Sequence, residues 1–309
     1  MSVYTKIEPA QLQAFLKGYN IGNAVELTGI AAGIENSNYA LRTTRGEFIL
    51  TLFEHIAVPE IDYFLQLLIT LRAGGFLSPQ PQADKTGQFR HTLAGKPAAL
   101  FVRLAGQSVI HPSLIHCAAV GTALAQLHRY CQTIRRFAPT PNTLTGFWQR
   151  YEKLTTKLSA ADNALIQTEL DFQTTVTLAL PEGLIHGDLF RDNLLFVGDK
   201  LSGILDFYST SQDAWLLDIA ITANDWCVEK GVFKVAKLRQ LLDSYQHERP
   251  LTVNEQQSLL PMLRLSALRF WLSRLEYQFF SPKSQLPVSK DPQVFRDLLI
   301  THRSTNFSV

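Results

Sequence analysis

Little in this chain of 309 residues points toward a membrane, a nucleic acid or an oxidising compartment. Cysteine is scarce. Cys117, Cys131 and Cys227 are odd in number and far apart, and they form no C-x-x-C pair, so neither a disulfide framework nor a zinc site is expected. No run approaches the roughly 18 apolar residues of a membrane span. The opening stretch MSVYTKIEPAQLQAF holds no apolar core of signal-peptide length. Charge is balanced, with 29 basic and 27 acidic residues and no block of one sign, which excludes a nucleic-acid stripe or a membrane-binding face. Repeats and low-complexity tracts are also missing. These absences leave a cytoplasmic enzyme with reduced thiols as the expectation.

What is present is enough apolar material, 46% of the chain, for one large domain or two lobes. The first hundred residues read as β-rich. A short helix spans Glu8 to Tyr19, with Leu12, Phe15, Leu16 and Tyr19 on one face. AVELTGIA (24–31), NYALRT (38–43) and EFILTLFE (47–54) read as strands, separated by a turn at 33–37 and another at Arg45-Gly46. Ile61 to Ala73 has helical spacing and meets the Gly74-Gly75 pair at its end. PQPQ (79–82) reads as an extended edge, and 90–104 as a hairpin. Beyond it the pattern turns helical: Pro112 to Tyr130, two helices within 147–180, and most of the chain from 213 onward. One β-like island, 184–207, interrupts this, with a hairpin turned at Gly198-Asp199. The expected fold is α+β: a small antiparallel β-sheet lobe with helices over 1–103, and a larger, mostly helical lobe over 104–309.

The chemistry gathers in that island. LIHGDLFRDNLLF (184–196) sets His186, Asp188, Arg191, Asp192 and Asn193 between apolar anchors. ILDF places Asp206 shortly after. Carboxylate and amide oxygens are hard ligands suited to Mg²⁺, so Asn193 and Asp206 are the candidate metal ligands. Asp188 sits on the same loop without needing to ligate the metal, and is free to accept a proton from a hydroxyl. The spacing matches H-x-D-x-x-x-x-N of a kinase catalytic loop, with Asp206 at the metal-binding Asp that follows it. The turn in AAGIENSNYAL (31–41) offers Gly33 for close approach, and the backbone of Ile34 to Asn38 and the Ser37 hydroxyl as donors to phosphates. Thr51 stands where a kinase keeps a phosphate-holding Lys on its third strand. Its hydroxyl, a cation such as Arg42 or Arg191, or weak nucleotide binding are the readings open there. Asp218, in WLLDIAI, reads as support for the 186–193 loop, and His186 and His128 as hydrogen-bonded core residues.

GIENSNYAL, GEFILTLFE, GKPAALFVRLAG, LIHGDLFRDNLLF, GILDFY and LLDIAITANDWC, together with RFWLSRL (269–275), resemble the homoserine kinases of the aminoglycoside-phosphotransferase-like, protein-kinase-like superfamily. The likeness runs in order from about residue 2 to about residue 303, and in that group the strand-three Lys is likewise replaced by Thr. It implies ATP- and Mg²⁺-dependent phosphorylation of the L-homoserine hydroxyl, a step of threonine biosynthesis. Asp188 would be the base, Asn193 and Asp206 would hold Mg²⁺, Gly33 to Asn38 would cover the phosphates, and Phe101, Arg103 and Leu104 would lie in the connector that meets adenine. A zwitterionic substrate calls for an acid and a guanidinium, and the candidates are Asp225, Arg191, Arg269 and Arg274, with Tyr208, Trp226 and Trp271 as apolar walls. The rivals are a choline, ethanolamine or aminoglycoside kinase, and a pseudokinase that binds nucleotide without turnover.

Overall fold

In GEFILTLF (46–53) successive side chains turn to opposite sides, and the first sheet is built on that alternation. The structure, a computed structural model, describes residues 4–30, 36–134, 143–280 and 290–305. The chain divides into two compact units, Met1–Gly106 with Ser202–Leu205, and Gln107–Leu201 with Asp206–Val309.

The first unit contains α1 (Pro9–Leu16), β1 (Ala24–Ile30), β2 (Asn36–Thr43), β3 (Gly46–Phe53), α2 (Val58–Ala73), β4 (Gln80–Pro81), β5 (Arg90–Leu93) and β6 (Lys96–Val102). The strands are antiparallel in the order β1-β2-β3-β6-β4, and β5 shares the outer edge of β6. One face carries Tyr39, Leu41, Phe48, Leu50, Leu52, Ala98 and Leu100, packed with Leu12 and Leu16 of α1. On the other face Thr51 lies opposite Asn38 and Ala99, and Ile49 opposite Phe101. There Phe64 of α2 meets Phe53 and Phe101 edge-on, with centroids 6.4 and 6.2 Å away. α1 ends at Leu16, short of Tyr19, because the Gly18 and Tyr19 N–H groups turn back to the carbonyls of Phe15 and Leu16. α2 starts at Val58, three residues before the apolar spacing begins, with Pro59 in its first turn where a missing N–H costs nothing.

The second unit is mostly helical: α3 (Leu114–Tyr130), α4 (Leu144–Leu154), α5 (Ala160–Thr174), α6 (Trp215–Trp226), α7 (Val235–Glu248), α8 (Val253–Phe280) and α9 (Gln293–Ser304). Thr143 and Ser159 cap α4 and α5 by accepting N–H bonds from Gly146 and Asp162, each at 3.1 Å. β7 (Glu182–Ile185) pairs antiparallel with β10 (Ser211–Ala214), and β8 (Leu194–Val197) with β9 (Lys200–Ile204) through the turn at Gly198. β11 (Val228–Glu229) and β12 (Val232–Phe233) form a further small ribbon. β10 straddles the start of the stretch that reads as helical, and β11 and β12 lie within it; at two to four residues each, they are too short to show a period. Ile185, Phe190, Leu217, Ile221, Leu268, Trp271 and Leu299 are among the side chains of one core that joins α4, α5, α6, α8 and α9 to the loop after β7. α6 is buried on nearly every side, so any polar group it carries must find its partner inside the protein. No helix among the described residues is long and apolar enough to cross a membrane.

Candidate active site

The loop after β7 turns at Gly187, whose φ is +78°. A Cβ there would lie 2.7 Å from the Ser209 carbonyl oxygen, so only glycine lets the chain pass. Asp218, fully buried on α6, fixes the turn. Its Oδ2 accepts the His186 N–H at 2.7 Å and its Oδ1 the Gly187 N–H at 2.9 Å. The same Oδ2 lies 3.0 Å from His128 Nε2, and His128 Nδ1 lies 2.7 Å from the Tyr245 hydroxyl. Arg249 donates to that hydroxyl at 3.1 Å and to Glu255 at 2.7 Å, with its guanidinium over the Trp215 ring at 4.5 Å. Burial lowers the pKa of His128 and keeps the ring neutral at physiological pH. A neutral ring with its proton on Nε2 donates to Asp218 and accepts from Tyr245, which satisfies every group in the chain. Burial acts to raise Asp218 too, yet the hydrogen bonds from His128 and the Gly187 N–H prevail, and the net shift is downward. The support expected of Asp218 is therefore explicit.

Asp188 stands on the far side of this turn. Its N–H donates to His186 Nδ1 at 3.3 Å, and its Oδ2 accepts the Asn193 amide at 3.1 Å. Asn193 Nδ2 also donates to the Asp188 carbonyl at 2.8 Å, drawing residues 188–193 into a tight loop closed by a short 3₁₀ turn at Arg191–Asn193. Burial pushes the Asp188 carboxyl up to about 7; Asp206 adds to the shift, Lys290 and Arg269 oppose it, and Asp192 adds a little. Asp206 is exposed and holds the left-handed backbone conformation, with φ 61° and ψ 59°. Asn193 spends its amide nitrogen on Asp188, which leaves its carbonyl oxygen as the end for a cation. Among the described residues no three His, Cys, Asp or Glu side chains gather as metal ligands, so the site is no all-protein cage. One amide oxygen and one carboxylate suit Mg²⁺, which keeps waters and takes phosphate oxygens alongside few protein ligands.

Several sequence expectations change. Arg191 and Asp225 are each other's partners: Arg191 Nε and Nη2 reach the two Asp225 oxygens at 3.0 and 3.1 Å, and the Arg191 N–H reaches Oδ2 at 2.7 Å. Arg191 Nη1 donates to the Ile110 carbonyl at 2.9 Å. Such a closed pair does not present a separate acid and guanidinium to a ligand. Trp226 is fully buried, with its Nε1 donating to the Leu189 carbonyl at 3.2 Å, and it packs under the loop instead of walling a pocket. Trp271 is also core. Tyr208 is half-buried in the short turn Phe207–Ser209. Asp192, exposed, pairs with Lys290 at 2.8 Å. Lys290 and Asp213 are charges of the site that sequence reasoning missed. Asp213 falls within YSTSQD, where nothing local marks it, and Lys290 is remote in the chain.

In the first unit Gly33 and Ile34 lie outside the described residues. Ser37 is buried on the sheet face opposite Asn38. It donates to Glu54 at 2.6 Å and accepts the N–H groups of Tyr4 and Thr5, so it has no proton for a phosphate. Thr51 donates to Asn38 Oδ1 at 2.7 Å. Arg42, a candidate for the missing cation, pairs with Glu26 at 2.9 Å on the surface. Phe101 belongs to β6, where its backbone sits between β3 and β4, and is not part of a connector. The Arg103 N–H goes to the Glu47 carbonyl at 3.1 Å and its guanidinium to the Glu47 carboxylate at 3.1 Å. Leu104 follows the last paired residue.

Comparison with known proteins agrees with this geometry. The phosphotransferase enzyme family profile matches residues 26–251. The homoserine kinase of Methylobacillus flagellatus is 41% identical over 303 residues, covering 97% of this chain and 94% of its own. Among solved structures, a microcompartment-associated aminopropanol kinase superposes with a TM-score of 0.73 at 17% identity, covering 96% of this chain and 97% of that one. The amicoumacin kinase hAmiN, in complex with AMP-PNP, Ca²⁺ and Ami, superposes with a TM-score of 0.72 at 16% identity, covering 96% and 94%. At those identities the solved structures establish the protein-kinase-like fold, and the full-length relative narrows the group: this chain belongs to the phosphotransferase enzyme family, among its homoserine kinases.

Proposed function

We propose that Asp188 takes the proton of the acceptor as this kinase passes the γ-phosphate of ATP to the side-chain hydroxyl of L-homoserine. The observation that carries this reading is the Asp188 carboxyl itself, held on a loop pinned from behind by Asp218 and raised to about 7. A base of that affinity is matched to a proton released near neutral pH. The hydroxyl oxygen forms its bond to the γ-phosphorus as the bond from phosphorus to the β–γ bridging oxygen breaks. ADP leaves with that oxygen, and the hydroxyl proton passes to Asp188. Phosphoryl transfer asks mostly for positioning, so holding the hydroxyl in line is the larger part of the task of Asp188.

Asn193 and Asp206 are the residues we assign to Mg²⁺. The ion supplies charge neutralisation on the phosphates when bound. The AMP-PNP and Ca²⁺ in the amicoumacin kinase complex support a nucleotide with a divalent ion in this fold. For the nucleotide, the first unit retains Asn38 and Thr51, which share the sheet face opposite the leucine-rich core, and the backbone of Leu104.

The test is homoserine-dependent ADP release, with O-phosphohomoserine identified as product. Asp188→Asn is expected to lower kcat by about 10²–10⁴-fold with ATP affinity nearly unchanged. Near-normal turnover in that variant would remove Asp188 from the base role.

A further inference from the structure

Three arginines of the second unit are chemically suited to grip the carboxylate of an amino-acid substrate, and their surroundings separate them. Arg191 is closed by Asp225 and Ile110, as described above. Arg274 donates through Nη1 to the Asp291 carbonyl at 2.7 Å and lies over the Phe295 ring at 4.4 Å. Arg269 differs. Its Nη1 is buried and has no hydrogen-bond partner among the described residues. Its guanidinium lies 4.9 Å from the Phe270 ring centroid, a contact that leaves the in-plane N–H groups unused.

A buried guanidinium N–H left without an acceptor is costly, and Nη1 of Arg269 is such a group. Burial, and to a smaller extent the charge of Arg150, depress the pKa of Arg269, and the acids that oppose this are Asp188 first, then Asp213 and Asp218. The influence is mutual, because Arg269 is among the cations that lower Asp188. The two side chains are therefore within electrostatic range of one another. L-Homoserine carries a carboxylate at one end of a short carbon chain and the reacting hydroxyl at the other. A carboxylate fits the planar fork of a guanidinium bidentately, with charge-assisted bonds.

We propose that Arg269 is the receptor for the α-carboxylate of L-homoserine, and thereby the residue that selects an amino acid over a simple amino alcohol. This rests on the reading of Asp188 as the base of the same site. An amino alcohol without the carboxylate leaves the Arg269 N–H unpaired, and that penalty is the basis of the discrimination.

The experiment compares kcat/KM for L-homoserine and for its decarboxylated analogue, 3-aminopropanol, in the full-length protein and in Arg269→Gln and Arg269→Lys. The ratio of the two substrates is expected to fall by about 50-fold in Arg269→Gln, carried by the KM for homoserine, and by less in Arg269→Lys, which keeps the charge and loses the fork. General damage to the fold lowers both substrates together and leaves the ratio unchanged, and an unchanged ratio overturns the proposal. Equilibrium binding of L-2-aminobutyrate, which keeps the carboxylate and ammonium but has no hydroxyl to phosphorylate, gives a second readout. It is expected to weaken by about 50-fold in Arg269→Gln, and undiminished binding also counts against the assignment. Failure of the underlying reading has a different signature: Asp188→Asn retains turnover while the Arg269 ratio still shifts. A parent protein inactive on homoserine overturns both.

Discussion

Asp188 and Asp218 stand on either side of one turn, and burial raises the pKa of each. For Asp218 three donors reverse the effect: the His128 ring and the backbone N–H groups of His186 and Gly187. Asp188 accepts a side-chain bond from the Asn193 amide and faces the like charge of Asp206, so its pKa stays raised. The lesson is that depth in the protein does not set the state of a carboxylate; the number of donors aimed at it does. The supporting acid is surrounded by donors, whereas the acid proposed to react is left short of them, and its affinity for a proton stays near neutrality.

The largest expected effect that sharpens this contrast is on stability. Asp218→Asn places an amide against two backbone N–H groups that need an acceptor, and should cost about 3–5 kcal/mol in denaturant unfolding. Asp188→Asn, which removes a carboxyl raised by burial, should gain stability at neutral pH in protein free of metal and nucleotide. Equal losses from both would break the comparison.

The two acids also differ in pH dependence. With Asp188 at about 7 in the folded protein and near 3.9 unfolded, the folded state binds more protons in between, so its contribution falls as pH rises from about 4 to about 7. Asp218, depressed when folded, contributes above the unfolded value and loses that contribution only as pH falls through its folded one. In protein free of metal and nucleotide, the melting-temperature advantage of Asp188→Asn over the parent should therefore grow from about pH 5 to about pH 8. A difference that is flat with pH would mean that Asp188 is not raised.

The smallest effect concerns the outer part of the support. Tyr245→Phe removes the hydroxyl that joins His128 to Arg249 and should cost about 1–2 kcal/mol, read as a shifted denaturant midpoint at constant slope. No shift would mean that the His128 ring holds Asp218 without help from behind.

The placement of the candidate site was legible in the sequence, because it depends on offsets within a short stretch: Asp188, Asn193 and Asp206 follow one another along a loop and a hairpin. The support from Asp218 was legible too, since an acid inside an apolar helix has few reasons to be there. Orientation was harder. β2 begins at Asn36, so Ser37 is a strand position and alternation turns it to the opposite face from Asn38. Read as part of the turn, it looked available. Trp226 sits on a helix that is apolar nearly all round, and such a helix gives periodicity no single inward face. The Arg191–Asp225 pair joins residues far apart in sequence, and nothing local to either announces the other.

The line from the His186 N–H through Asp218, His128, Tyr245 and Arg249 ends at Glu255, in the first turn of α8. Arg269 is carried further along that same helix. The loop of the proposed base and the proposed substrate grip are thus both tied to α8, one through a line of hydrogen bonds and the other directly. A fixed spacing between the two ends would make the enzyme sensitive to the length of its acceptor, and serine, whose hydroxyl sits one carbon nearer its carboxylate, is the substrate that would reveal it.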